Sequence, residues 1–440
     1  MNALSRFAHQ ITLKHICFLV VVIIVFAFQA HQLFSFNPYW GYDGGAHVNI
    51  LETLLFEHRF PTLAENYLAW HEPLYYLVLV GLGYIGISFW FPHLLIIFAI
   101  DVLVFGLFRR MGHGNLLALF GTIAVISLPA FLEVGLYFTN EALNYVFLLA
   151  IMHTTLSLWR EDRWSWKTSL LFSICAGLGA VTKITALVAF GVAVILLIIK
   201  MVQKRTWKYV LTILMAIVFI IGCYAPWYMV RSQSLSGISV NNYDMLPAKP
   251  LVLDERVGFM TRFDDDIFAF PFWYSGGTGF WSMLYADTVS DYLGLFENQD
   301  LKNALPAGER VMTTHNGNSV SAYRKPLAEA ALRLGALPVA VMLFGILSAL
   351  VALKKRKSQD ALIVLGFSSA FLLALTYYAY RYPYYDQGVI KSIFIAPTFV
   401  LPLAFGLHLF RRCPKWVQAI GFTVWAAYIT VVVALFFIHR

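Results

Sequence analysis

The sequence predicts an all-α, polytopic membrane protein, and three observations carry that expectation. Hydrophobic residues make up 60% of the chain and charged residues 13%, with a mean hydropathy of +0.69, which is not the balance of a water-soluble globule. Apolar runs of about 20 residues, long enough to cross roughly 30 Å of hydrocarbon, recur from end to end. The basic residues behind the formal net charge of +8 gather in short clusters between those runs. Such placement suits loops facing anionic lipid and excludes nucleic acid as the partner. A β-barrel would show short alternating segments instead. Cys17, Cys175, Cys223 and Cys413 form no CxxC pair, so neither a disulfide framework nor a zinc site is indicated.

The first apolar run, Ile16–Phe34, has no small-residue cleavage site after it and is expected to be a retained helix. Basic clusters lie at Arg6 with Lys14, Arg109-Arg110, Arg160 to Lys167, Lys204 to Lys208, Lys354 to Lys357 and Arg411 to Lys415. Leu74 to Phe91 is apolar enough to span, but a span there would turn every later cluster outward. An in-plane or re-entrant helix keeps them all inside. The run Thr168 to Ile199 would be about 48 Å long as one helix, too long for a single crossing. Breaking it at Lys183 again keeps the basic loops inside and puts that lysine at the outer surface.

About eleven spans result: Ile16–Phe34, Pro92–Phe108, Asn115–Leu132, Glu141–Trp159, Trp166–Thr182, Ile184–Met201, Tyr209–Val230, Ala331–Leu353, Ala361–Tyr380, Val389–Phe410 and Trp416–Ile438. The N-terminus falls inside. The chain then divides into a membrane module over 1–230 with a first outer loop at 35–91, a large outer loop over 231–330, and C-terminal helices over 331–440. In the large loop, Gly279 to Phe296 can form an amphipathic helix with Asp287 and Asp291 on one polar face.

Candidate chemistry concentrates at the outer ends. Asp43, in YDGGAHVN, reads as the N-cap of a helix that ends before Pro61. One turn on, His47 can lie beside it, giving a carboxylate–imidazole pair fit for acid–base work or for a metal, and equally common as a surface pairing. His71 and Glu72 precede Pro73 in WHEPLYY; they read either as helix-start chemistry or as groups turned back toward Asp43. Asn140 and Glu141 open the fourth span, where a glutamate is either stabilised by the helix dipole or functional at the hydrocarbon edge. Lys183, Arg231, Arg381 and Lys391 are outer-face cations that go against the positive-inside trend. Snorkelling explains each singly, and together they suit a lipid-linked phosphate. No glycine-rich phosphate loop, Ser-His-Asp pattern or dinucleotide fingerprint is present.

The order of these features resembles the GT-C membrane glycosyltransferases, in the bacterial branch of aminoarabinose transferases and protein O-mannosyltransferases. The resemblance rests on the acid in a long first outer loop, the amphipathic helix after it, x-P-L-Y-Y, TNEAL, AGLGAVTKITAL, APWYMVRS and YADTVSDYLGLF. It covers most of the chain to about Phe296. It implies a helical bundle that transfers a sugar from a polyprenyl-phosphate carrier, with inversion, at the periplasmic face of a bacterial inner membrane. The acceptor is left open. Asp43 takes the position of the family's catalytic base, with Glu72 and His47 beside it. Lys391, Arg231 and Lys183 are the expected phosphate ligands, and His71, Tyr75, Asn140, Glu141 and Asp287 the expected substrate contacts. Two departures stand out. Gly44 replaces the acidic partner of the base, and Glu72 stands where the family places a proline or a phosphate-binding lysine. Family members differ in metal dependence, so a divalent metal ion stays open. A rival from another class is a transporter or flippase of lipid-linked sugars. It would place polar residues near the midplane and break helices in pairs. Here Asp101 is the main mid-span acid.

Overall fold

The computed structural model describes residues 13–39, 43–62, 64–161, 163–234, 253–268, 271, 279–291, 310–313, 319–321, 324–355, 360–381 and 392–437. Helices dominate them. The first half holds α1 (Leu13–Ser35), α2 (Gly44–Glu57), α3 (Leu74–Gly83), α4 (Trp90–Arg110), α5 (Asn115–Ile126), α6 (Pro129–Leu136), α7 (Asn140–Arg160), α8 (Trp166–Ala180), α9 (Thr185–Lys204) and α10 (Lys208–Ser234). The large loop carries α11 (Leu253–Thr261), α12 (Phe280–Val289) and a two-stranded antiparallel ribbon, β1 (Arg310–Thr313) with β2 (Ser319–Ser321). Among the described residues the ribbon is the one element outside the all-α expectation. The chain closes with α13 (Arg324–Leu334), α14 (Ala336–Lys354), α15 (Asp360–Arg381), α16 (Val400–Phe410) and α17 (Lys415–Phe436).

Among the described residues, eight helices are long and apolar enough to cross a membrane, or nine if α5 and α6 form one bent span. Leu74 to Gly83 is a helix of only ten residues, about 15 Å long and too short to cross. The break at Lys183 is present: α8 ends at Ala180 and α9 begins at Thr185. Three expectations need correction. The third span is two helices bent by 71°, because Pro129 starts α6 and Leu128 before it is extended at φ −64°, ψ 136°. The tenth span is α-helical only from Val400; short 3₁₀ turns at Ser392–Phe394 and Ala396–Phe399 precede it, with Pro397 in the second. The loop helix stops at Val289, and Asp287 and Asp291 are buried rather than sharing a wet face.

The bundle has two chemically different ends. At one, the Arg160 guanidinium donates to Asp360 at 2.9 Å through Nε and 2.5 Å through Nη2, and also reaches the Arg110 carbonyl. Lys200 donates to the carbonyls of Leu158, Trp159 and Glu161 at 2.5, 2.7 and 2.6 Å. A buried ammonium thereby caps the otherwise unpaired carbonyls at the end of α7. The opposite end carries residues 43–62 and 64–73, the 181–184 turn and the start of α7.

Candidate active site

Asp43 stands immediately before α2 in the left-handed region, at φ 60° and ψ 7°, and makes no side-chain capping bond. The N-cap expectation is therefore met in position and not in chemistry. L-residues other than Gly, Asn and Asp pay steric strain in that region. The partly exposed carboxylate accepts a hydrogen bond from the Tyr67 hydroxyl instead. A Cβ on Gly44 would sit 3.0 Å from the Pro38 carbonyl. A larger side chain at that position would crowd the turn before α2.

Behind Asp43 lies a buried polar chain. His47 Nδ1 is 2.7 Å from the Tyr76 hydroxyl, which is 3.5 Å from His71 Nδ1; Asn140 Nδ2 is 3.4 Å from that same nitrogen. Asn140 also donates to the Thr182 carbonyl at 3.4 Å. The second half of the site hangs on the α8–α9 turn. Lys183 pairs with Glu141, whose other oxygen accepts from Asn144 Nδ2 at 3.0 Å. Asn144 is held in turn by Thr185, 3.0 Å away. The Lys183 ammonium lies 5.0 Å from the centre of the Phe394 ring, a distance at which a cation is attracted to the ring face.

One backbone bond joins the halves. The first free N–H of α3, from Leu74, donates to the Val181 carbonyl at 3.0 Å. That docking brings Glu72, two residues before Leu74, to Lys183, two residues after Val181. Glu72 is buried, and burial pushes its carboxyl up to about 7, with Glu141 adding to the rise. Lys183 and the N–H groups of Glu72 and Ile184 oppose it.

Sequence-distant acids converge here. Asp43, Glu72 and Glu141 all act on the buried Tyr76 hydroxyl, and Glu133, Asp43, Glu141 and Asp287 on that of Tyr137. Asp43, His47, His71, Glu72, Asn140, Glu141 and Lys183 are thus brought to one end of the bundle. Tyr75 and Asp287 are engaged otherwise. The Tyr75 hydroxyl is 3.0 Å from His93 Nδ1 on α4. Asp287 accepts from the Ser392 N–H at 2.6 Å, tying α12 to the start of the tenth span. Arg231 lies in the last turns of α10, with its side chain outside the described part, and Lys391 lies outside the described residues. Among the described residues no three His, Cys, Asp or Glu side chains are arranged to hold a metal ion. Sequence reasoning passed over Tyr67, Tyr76, Asn144 and Thr185. The only signal for Tyr76 was the doubled tyrosine of PLYY, where it lies one step around the helix from Tyr75.

The fold is similar to that of solved integral membrane proteins. The particular structures it is similar to are two crystal structures of ArnT from Cupriavidus metallidurans. With the apo state the TM-score is 0.54 at 13% identity, over 96% of this chain and 63% of that one. With the structure bound to undecaprenyl phosphate it is 0.54 at 14% identity, over 93% and 62%. The chain thus spans less than two thirds of the proteins it resembles. No protein-family profile matches it, and no curated protein does.

Proposed function

We propose that this chain is a membrane glycosyltransferase that moves a sugar from a polyprenyl-phosphate-linked donor to an acceptor on a lipid, glycan or protein. The acceptor oxygen displaces the carrier phosphate at the anomeric carbon with inversion of its configuration, at the periplasmic face of a bacterial inner membrane. The observation that carries this reading is the arrangement at the non-basic end of an ArnT-like fold: a partly exposed carboxylate, Asp43, oriented by Tyr67 at the rim of a buried polar cluster that contains Lys183. Undecaprenyl phosphate bound to one of the similar structures supports a polyprenyl-linked donor and a membrane-lipid setting.

Chemically, a carboxylate is a far weaker base than an alkoxide. Asp43 therefore accepts the acceptor's proton late, as the sugar–phosphate bond breaks, and the departing phosphate needs cations where its negative charge collects. Lys183 is the described cation there. Arg231 and Lys391 are further candidates from their position in the sequence. No step here is routed through a metal ion. The transporter reading draws less support, because the polar cluster lies at one end. The mid-span acid Asp101 is occupied by Gln29 of α1 at 3.3 Å.

The test is sugar transfer in proteoliposomes with Asp43→Asn, which keeps the side chain's shape and its tolerance of the left-handed backbone. Turnover is expected to fall by about 10²–10⁴-fold, the range for loss of a positioned base, with an unchanged thermal unfolding profile. Near-wild-type turnover would remove Asp43 from the reaction. Movement of lipid-linked sugar across the bilayer without transfer would favour the transporter.

A further inference from the structure

The charge balance around Lys183 is unsuited to a further anion. Within the described site one ammonium faces two buried carboxylates, Glu141 and Glu72. Among the described residues Lys183 forms its ion pair with Glu141, which Asn144 also holds. The positive charge is thus committed before any ligand arrives. A phosphate entering beside Lys183 would put a third negative charge next to two buried carboxylates, where like charges repel more strongly than in water. Something must yield, and a proton from solvent is the smallest change that restores balance.

We propose that Glu72 is a charge-compensating positioning residue that becomes protonated when a lipid phosphate binds beside Lys183, so that donor binding takes up one proton. The inference rests on the reading of this end as a lipid-phosphate site. Glu72 is the group placed to yield. It is buried, stands at the docking point of α3 on the α8–α9 turn, and its carboxyl is already pushed up to about 7 by burial. Glu141 is ion-paired with Lys183 and held by Asn144, whereas Glu72 has backbone N–H partners and no ion pair among the described residues. The groups facing Glu72 are Lys183 from the turn, Glu141 from α7, Tyr76 from α3 and Tyr224 from α10. His71 precedes it in the chain, and His47 of α2 joins through Tyr76. The proton adds to the Glu72 carboxylate, and no other bond forms or breaks. The protonated acid can then donate to a phosphate oxygen.

The sign follows from linkage. Below about pH 7 Glu72 is neutral before binding, so affinity is flat with pH; above it binding must draw a proton from solvent, so affinity falls as pH rises. The probe is the monomethyl ester of undecaprenyl phosphate, a diester that does not titrate in this range, bound to the full chain in lipid nanodiscs. Wild-type affinity is expected to drop about tenfold per pH unit above pH 7, the slope for one proton. Glu72→Gln should hold a constant affinity across the range, close to the wild-type value at low pH. Calorimetry in buffers of different ionisation enthalpy should count about one proton taken up by the wild type at pH 8. That count needs no variant to fold. A pH-independent wild-type affinity with no proton uptake overturns the proposal and leaves the lipid-phosphate reading standing. Proton uptake that persists in Glu72→Gln also overturns it, in favour of His71 or His47. Absence of binding by the wild type at any pH overturns both readings.

Discussion

Single residues at this site are governed by what they touch more than by their type. Asp43, Glu141 and Lys183 could be singled out in the sequence because an ionisable group at the edge of an apolar run is rare enough to notice. Their partners could not. Tyr67 and Tyr76 are two of 23 tyrosines, and nothing local marks them as the ones that meet Asp43 and His47. The Lys183–Glu141 pair has a testable consequence, since the carboxylate is 2% exposed and the ammonium 15%. Lys183→Met leaves Glu141 buried without its counter-charge and is expected to cost about 3–5 kcal/mol. Adding Glu141→Gln should recover most of that loss, because the buried charge goes with its partner. Thermal unfolding of the three variants in detergent reads the cycle. Equal destabilisation in the single and double variants would show that the pair does not act as a unit.

At the scale of elements, helix contacts depend on where side chains are absent. Gly345 of α14 and Gly406 of α16 face each other's helices so closely that a Cβ on the first would run into the Pro402 carbonyl and one on the second into the Val341 carbonyl. Small residues let apolar helices approach where lipid offers no hydrophobic driving force. Gly406→Ala is expected to destabilise by about 1–3 kcal/mol, the range for overpacking a tight contact. Gly191→Ala in α9, where a Cβ meets nothing within 4 Å, should be neutral or slightly stabilising. Comparing the two midpoints in the same detergent checks this; an equal shift would mean that the α14–α16 contact is not close-packed. Helix breaks were legible where a charge or an overlong run announced them, as at Lys183. The bend at Leu128 and the 3₁₀ turns before Val400 were masked by continuous hydropathy, although Pro129 and Pro397 carried the signal.

For the molecule as a whole, the arrangement of ends is the organising fact. Arg110, Arg160, Lys200 and Asp360 gather at one end, and Asp43, Glu72, Glu141 and Lys183 at the other. A periplasmic site requires the second end to face outward. A single cysteine at Tyr67, which is 57% exposed, should then be labelled by a membrane-impermeant maleimide in intact spheroplasts. One at Trp207, 78% exposed between α9 and α10, should be labelled only after permeabilisation. Equal labelling of both in intact spheroplasts would overturn the orientation.

Hydropathy, charge spacing and the position of Lys183 are properties of consecutive residues, and they were enough to set the membrane class and the helical build. They also marked the end of the bundle where the candidate site residues gather. Which residues meet was decided only by tertiary structure. Asp43, Glu72, Glu141 and Lys183 lie on separate stretches of chain, and the Leu74–Val181 backbone bond that joins their halves involves two apolar residues whose side chains say nothing of it. A helix end exposes unpaired N–H and C=O groups whatever its sequence. Their partners are therefore chosen by how the helices pack.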